Sequence, residues 1–270
     1  MPLTMMRARR FVVRPRFAAI WLPPVAVLAA VVALGAPAGA TAAVKESQAR
    51  VVPPVGPLYD VLSAAWWKYA MALPAATNPL LDADGKPEAD CNAGQAGPVF
   101  FLAGKLGGGS VRRTDCTVPA NRALFFPVLD SIDIHIPAPF PENDTRDTPE
   151  LLWAHLEAPA TGFVATSLWA TVDTDVVANL LDPSTTPYHA CVGPVLGCFP
   201  RSFSVTFPDS NVFGVDGIPA GTYGPAVAKG FYLLLAPLKP GMHTITFGGE
   251  GRYGGTPVSE DITYRLRVLP

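Results

Sequence analysis

Apolar positions along this chain fall into distinct patterns, and each predicts a different element. Residues 98–103 (PVFFLA) and 123–129 (ALFFPVL) are continuous apolar runs, with Gly107-Gly108-Gly109-Ser110 between them. Aromatic and β-branched residues bounded by Gly and Pro read as buried strands. The two runs therefore predict the core sheet, with the glycine stretch as a turn. Strict alternation marks residues 166–172 (TSLWATV), 203–207 (FSVTF), 243–247 (HTITF) and 261–268 (DITYRLRV), as half-buried strands require. Residues 231–235 (FYLLL) are apolar throughout. Pro240-Gly241 supply the turn residues that lead into 243–247.

Helical spacing appears in two places. In residues 58–73 (LYDVLSAAWWKYAMAL), Leu58, Leu62, Ala65, Trp66 and Tyr69 recur at three- and four-residue steps, and Pro74 ends the pattern. Trp66 and Trp67 lie about 100° apart on such a helix. Trp66 is expected to pack inward and Trp67 to sit at the margin under a loop. The functional alternative makes Trp67 an exposed stacking platform for a sugar. A short second helix is predicted after Asp147 or Thr148, with Pro149 and Glu150 in its first turn. The expected fold is mainly β: a single β-sandwich or jelly-roll-like domain over residues 58–270, with an N-terminal amphipathic helix and one short internal helix. Residues 44–57 form an extended, proline-containing lead-in.

The first 43 residues follow a different logic. Arg7, Arg9, Arg10, Arg14 and Arg16 precede an apolar run over residues 17–36, and Ala38-Gly39-Ala40 and Ala40-Thr41-Ala42 fit an A-x-A cleavage site. Residues 1–43 are expected to be a secretory signal peptide, which predicts a secreted or cell-envelope protein. The rival reading is an uncleaved membrane anchor. Arg9-Arg10 also fits a twin-arginine export signal. Cleavage would remove five of the 20 Lys+Arg and none of the 22 Asp+Glu, leaving 15 against 22, a net charge of −7 on 227 residues. That balance argues against nucleic acid as a partner, because non-specific binding needs lysines and arginines to displace counterions.

Four cysteines in an exported chain predict two disulfides. The two local pairings, Cys91–Cys116 and Cys191–Cys198, are preferred over a metal site, since no Cys-x-x-Cys is present.

Candidate chemistry is sparse. Asp82-x-Asp84-Gly85, with Glu88 and Asp90 downstream, has part of a calcium loop but not its full ligand pattern. Asp82, Asp84 and Asp130 are the candidate metal ligands, for calcium or zinc, although no cofactor is the primary expectation. Asp130, Asp133 and His135 gather in one stretch. Alternation puts Asp133 and His135 on one strand face, as an acid–base pair or half a metal site, with Ile132 and Ile134 on the other. Asp130 joins the isoleucine face unless a bulge intervenes. His243, after a Pro-Gly turn, reads as a turn-end residue, and His189 as part of the small disulfide loop. Gly-x-Ser-x-Gly, Ser-x-x-Lys and His-Glu-x-x-His motifs are absent from the sequence.

Trp66-Trp67, Asn78-Pro79-Leu80, Gly94-Gln95-x-Gly97-Pro98-Val99, Cys116-Thr117-Val118-Pro119 and Leu124-Phe125-Phe126-Pro127-Val128 together resemble a family of secreted bacterial proteins without assigned function. The closing Pro237-Leu238-x-Pro240-Gly241-x-His243-Thr244-Ile245 and Gly248-Gly249 look like the same family. The resemblance implies export and one domain, and it carries no site residues. The functional expectation is an exported, non-catalytic binding module for a glycan, an envelope component or a protein. Membrane contact is expected only through an uncleaved signal segment. The alternatives are a hydrolase using the groups near 130–135, and a metal-stabilised module.

Overall fold

The computed structural model describes residues 51–83, 90–139, 145–182, 186–214 and 217–270. The expected signal segment and Asp84, Gly85 and Glu88 of the candidate calcium loop lie outside the described residues. The elements in chain order are α1 (Leu58–Ala72), β1 (Val99–Phe101), β2 (Gly109–Pro119), β3 (Ala123–Ile134), α2 (Pro149–Glu157), β4 (Phe163–Val172), β5 (Asp175–Val176), β6 (His189–Val192), β7 (Phe203–Phe207), β8 (Gly221–Leu235), β9 (Gly241–Tyr253) and β10 (Thr256–Leu269).

Two sheets form a sandwich, as the strand patterns predict. The first runs β1-β3-β8-β6, with β7 also on β8; the second runs β2-β10-β9-β4-β5. The two apolar runs do share a sheet, as β1 pairs with β3 in parallel. A parallel pair needs a crossover, and the chain supplies it with β2, which departs to the second sheet and pairs in parallel with β10. The glycine stretch is therefore a turn into another layer. Its last two residues, Gly109 and Ser110, already belong to β2.

The first sheet is covered on both faces, which explains why its central strands lack alternation. Phe126, Val128 and Leu233 pack against Ile245, Phe247 and Tyr264 of the second sheet. Phe125, Tyr232 and Leu234 pack with Tyr59, Trp66 and Met71 of α1. In the second sheet β10 alternates cleanly, with Ile262, Tyr264, Leu266 and Val268 buried and Asp261, Arg265 and Arg267 exposed.

Helix α1 buries more of its circumference than the expected stripe. Tyr59, Ser63, Ala64, Trp66, Trp67, Ala70 and Met71 are buried, while Leu58, Leu62 and Tyr69 pack only at the margin. Trp67 is 5% exposed and meets Trp66 edge-on, with ring centroids 4.8 Å apart. An exposed stacking platform for a sugar is thereby corrected: the ring is part of the core. Asn78 ends the helix region by donating to Ala70 O at 2.8 Å and to Leu73 O at 3.3 Å, so carbonyls without helical partners are satisfied. Thr148 caps α2 by accepting from Leu151 N–H, with Pro149 at the first position.

Both expected disulfides are present, Cys91–Cys116 and Cys191–Cys198. Such bonds persist in oxidising compartments. Among the described residues no helix is long and apolar enough to cross a membrane.

Candidate functional site

Strand β1 is three residues long and covers only Ala123, Leu124 and Phe125 of β3. Leu102 N–H still reaches Phe125 O at 3.0 Å. The chain then leaves for the second sheet. Among the described residues, the rest of β3 has no strand neighbour on that side. A cavity of about 560 Å³ opens against this bare edge. It lies within the ~300–1,000 Å³ span of small-molecule sites. Because the strand is met edge-on, Leu129 to Ile134 all line it in succession. Trp66, Trp67 and Met71 of α1 and Phe163 of β4 add apolar wall.

A register shift between Pro127 and Leu129 changes the alternation of β3. Before it, Phe126 and Val128 pack between the sheets; after it, Ile132 and Ile134 pack on the α1 side. Bulges of this kind re-aim side chains. Asp130 follows the isoleucines and accepts the Tyr232 hydroxyl at Oδ2, 2.8 Å away. Gly230 stands opposite Asp130 on β8, where a Cβ would lie 2.4 Å from Asp130 Cβ. Glycine at that position is a condition for the carboxyl's placement.

The second carboxyl comes from the other sheet. Glu260 of β10 has the same parity as Ile262 and Tyr264, so it points inward and is 6% exposed. Its Oε1 accepts the Lys105 N–H at 2.5 Å. A Cβ on Gly104 would come within 2.2 Å of that oxygen. The segment that carries these residues has no ladder, and side chains satisfy its backbone instead. Trp66 Nε1 donates to Leu102 O at 2.9 Å. Tyr264 donates to Ala103 O at 3.0 Å, and its oxygen accepts Ala103 N–H at 2.9 Å. Arg113 of β2 donates to Ala103 O at 2.9 Å, to Gly104 O at 3.0 Å and to Pro79 O.

Burial pushes the Glu260 carboxyl from its ordinary 4.5 up to about 8. The nearby Asp130 charge adds to the rise, while the Lys105 N–H and the charges of Arg113 and Lys105 oppose it. Burial likewise raises Asp130 from 3.8 to about 7, against the lowering effect of the Tyr232 bond. Burial, then the Asp130 charge, push the Tyr232 hydroxyl well up. The cavity thus holds two carboxyls from opposite sheets that titrate near neutrality.

Asp133 also lines the cavity but is differently occupied. Its Oδ2 accepts Arg146 Nη1 at 2.8 Å and lies 2.8 Å from His155 Nδ1 of α2. The expected partner His135 is not among the residues lining the cavity, and its buried Nδ1 has no hydrogen-bond partner among the described residues. The histidine beside Asp133 therefore comes from a helix 22 residues away in sequence, not from the same strand face. Asp82 is held by Arg113 Nε at 2.7 Å, with the two side chains 7% and 1% exposed. A guanidinium thus occupies the carboxylate assigned to calcium. Among the described residues no three His, Cys, Asp or Glu side chains converge as a metal site. His243 is buried between Asp173 Oδ2 at 2.8 Å and Lys239 O at 2.9 Å, which makes it a structural lock at the start of β9. His189 opens β6 and packs against Phe231.

Sequence reasoning missed Glu260, Arg113 and Tyr232. The signal for Glu260 was present, since it is a charged residue at an inward position of an alternating strand. Comparison of the chain with protein-family models, with curated proteins and with solved structures finds no match to any of them.

Proposed function

We propose that this chain is an exported binding protein for a compact amphipathic small molecule, held in the cavity beside the free edge of β3. One observation carries the reading: an apolar-walled cavity of about 560 Å³ that ends on two carboxyls. Pockets of this make-up, mostly apolar with a few converging polar groups, are the usual form of small-molecule sites. The disulfides support an extracellular or envelope setting, and the signal-like segment over residues 1–43 supports export. The test is saturable uptake of a neutral solvatochromic dye, followed by its fluorescence. Ile132→Trp, which fills the cavity, should abolish the uptake, and a wild-type protein that takes up no dye saturably sinks the reading.

A second reading, hydrolysis by the carboxyl pair, is favoured by the near-neutral titration of Asp130 and Glu260, as acid–base chemistry requires. It predicts turnover of glycoside or ester substrates that Asp130→Asn removes. Binding is the better supported, because two neutral hydrogen-bond donors already hold the pair.

A further inference from the structure

Three acids that line the cavity, Asp130, Asp133 and Glu260, and Asp82 beyond its lining are not equivalent. Asp82 and Asp133 are each answered by an arginine, Arg113 at 2.7 Å and Arg146 at 2.8 Å. Asp130 and Glu260 are answered only by neutral donors, the Tyr232 hydroxyl and the Lys105 backbone N–H. Each of these two carboxyls keeps one oxygen, Asp130 Oδ1 and Glu260 Oε2, that accepts no hydrogen bond among the described residues. The charges of Arg113 and Lys105 reach Glu260 only through space. Arg113 is already committed to Asp82 and three carbonyls. Two carboxyls with spare acceptor capacity thus end a wall built from Trp66, Trp67, Met71, Ile132 and Phe163.

Acids drawn out of water, Glu260 buried and Asp130 half-buried, are costly without a counter-charge, and a partner that brings positive charge and several N–H donors relieves that cost. A bare metal ion fits less well, because calcium takes six to eight oxygen ligands and Asp133 is already engaged by Arg146. An anion would meet two acids; of the two cations that also line the cavity, Lys105 and Arg146, the second is engaged by Asp133. We propose that the cavity selects organic cations, and that its ligand is an amine on an apolar body whose ammonium N–H groups are donated to Asp130 and Glu260. This rests on the cavity being a small-molecule site.

The test is a matched series of octylamine, octanol and octanoate, titrated by calorimetry into the oxidised protein at pH about 9, where the amine (pKa about 10.4) is still protonated. Octylamine should bind at least about ten-fold more tightly than octanol, which is about 1.4 kcal/mol, and octanoate should bind most weakly. Asp130→Asn and Glu260→Gln should each bring the amine down to the affinity of the alcohol and leave the alcohol unchanged. If octanol binds as tightly as octylamine, or octanoate binds best, the cation proposal falls and the small-molecule site stands. If none of the three binds, the site itself falls. The wild-type comparison needs no variant, so a substitution that fails to fold does not blunt it.

Discussion

Arg113 and Asp82 meet at 2.7 Å with both side chains almost wholly removed from water. The guanidinium also donates to the carbonyls of Pro79, Ala103 and Gly104 and stacks over the Tyr264 ring at 4.9 Å. One side chain thus ties α1's exit, the strandless segment beside the cavity and the second sheet together. Breaking a buried pair costs about 3–5 kcal/mol, because the surviving charge is stranded. Asp82→Ala is expected to lose that much in urea unfolding. Arg113→Met should lose more, since it also leaves the buried Gly104 carbonyl without a donor, while the Pro79 and Ala103 carbonyls keep the Asp82 N–H and the Tyr264 hydroxyl.

Glu260 and Asp130 give the fold a pH dependence of definite sign. Their folded values, about 8 and about 7, lie above their ordinary 4.5 and 3.8. The folded state therefore holds protons that the unfolded state has released, and stability falls as pH rises from about 4 through about 8. The titratable and charged groups that line the cavity with the pair or act on it are Lys105, Asp133, Arg146, Tyr253, Tyr232 and Arg113. Only the Lys105 N–H and the charges of Arg113 and Lys105 lower Glu260. For Glu260 the span corresponds to a few kcal/mol, on the order of 1.4 per unit. Melting temperatures measured between about pH 5 and 9 should drop, and Glu260→Gln should flatten most of the drop.

Tyr232 restrains Asp130 by donating to its charged form. Tyr232→Phe is expected to move the Asp130 titration above about 7, toward higher pH. Carbon NMR of the labelled carboxyl reads this directly, and an unchanged or lowered value would show that the hydrogen bond is not formed in solution.

Gly230→Ala should push a methyl into Asp130, whose Cβ would be 2.4 Å away. Overpacking of that kind costs about 1–3 kcal/mol. The variant should melt lower and lose amine binding, while Gly254→Ala, in the turn between β9 and β10, should keep binding even though its φ of 57° costs some stability, because nothing lies within 4 Å of its added carbon.

The two disulfides close loops of 25 and 7 residues. In the chain-entropy model they stabilise by about 3–4 and about 2–3 kcal/mol respectively. Removing both Cys91 and Cys116 should therefore lower the unfolding midpoint more than removing Cys191 and Cys198.

Much of the fold was legible in the chain, and the limits have physical causes. Runs such as ALFFPVL and FYLLL mark strands covered on both faces, and the first sheet is covered by α1 on one side and by the second sheet on the other. Strand β2 was not legible, because Arg112, Arg113, Thr114 and Asp115 interrupt its apolar positions and its first residues look like a turn. Reading β10 from Asp261 instead of Thr256 left Glu260 outside the strand, where its inward parity goes unnoticed. Asp130 was singled out as a possible ligand, but its partner Tyr232 lies 102 residues away inside an apolar run. His155 was visible only as a helix residue. What brings it to Asp133 is the packing of α2 on the first sheet, which no local pattern encodes.

Asp130 belongs to one sheet and Glu260 to the other, yet the Asp130 charge raises the Glu260 titration. That influence is therefore a ruler laid across the sandwich. A slide or spreading of one layer over the other would change how far apart the two acids titrate, before any hydrogen bond within either sheet is broken. The pair can report the spacing of the layers from inside the protein, with no added probe.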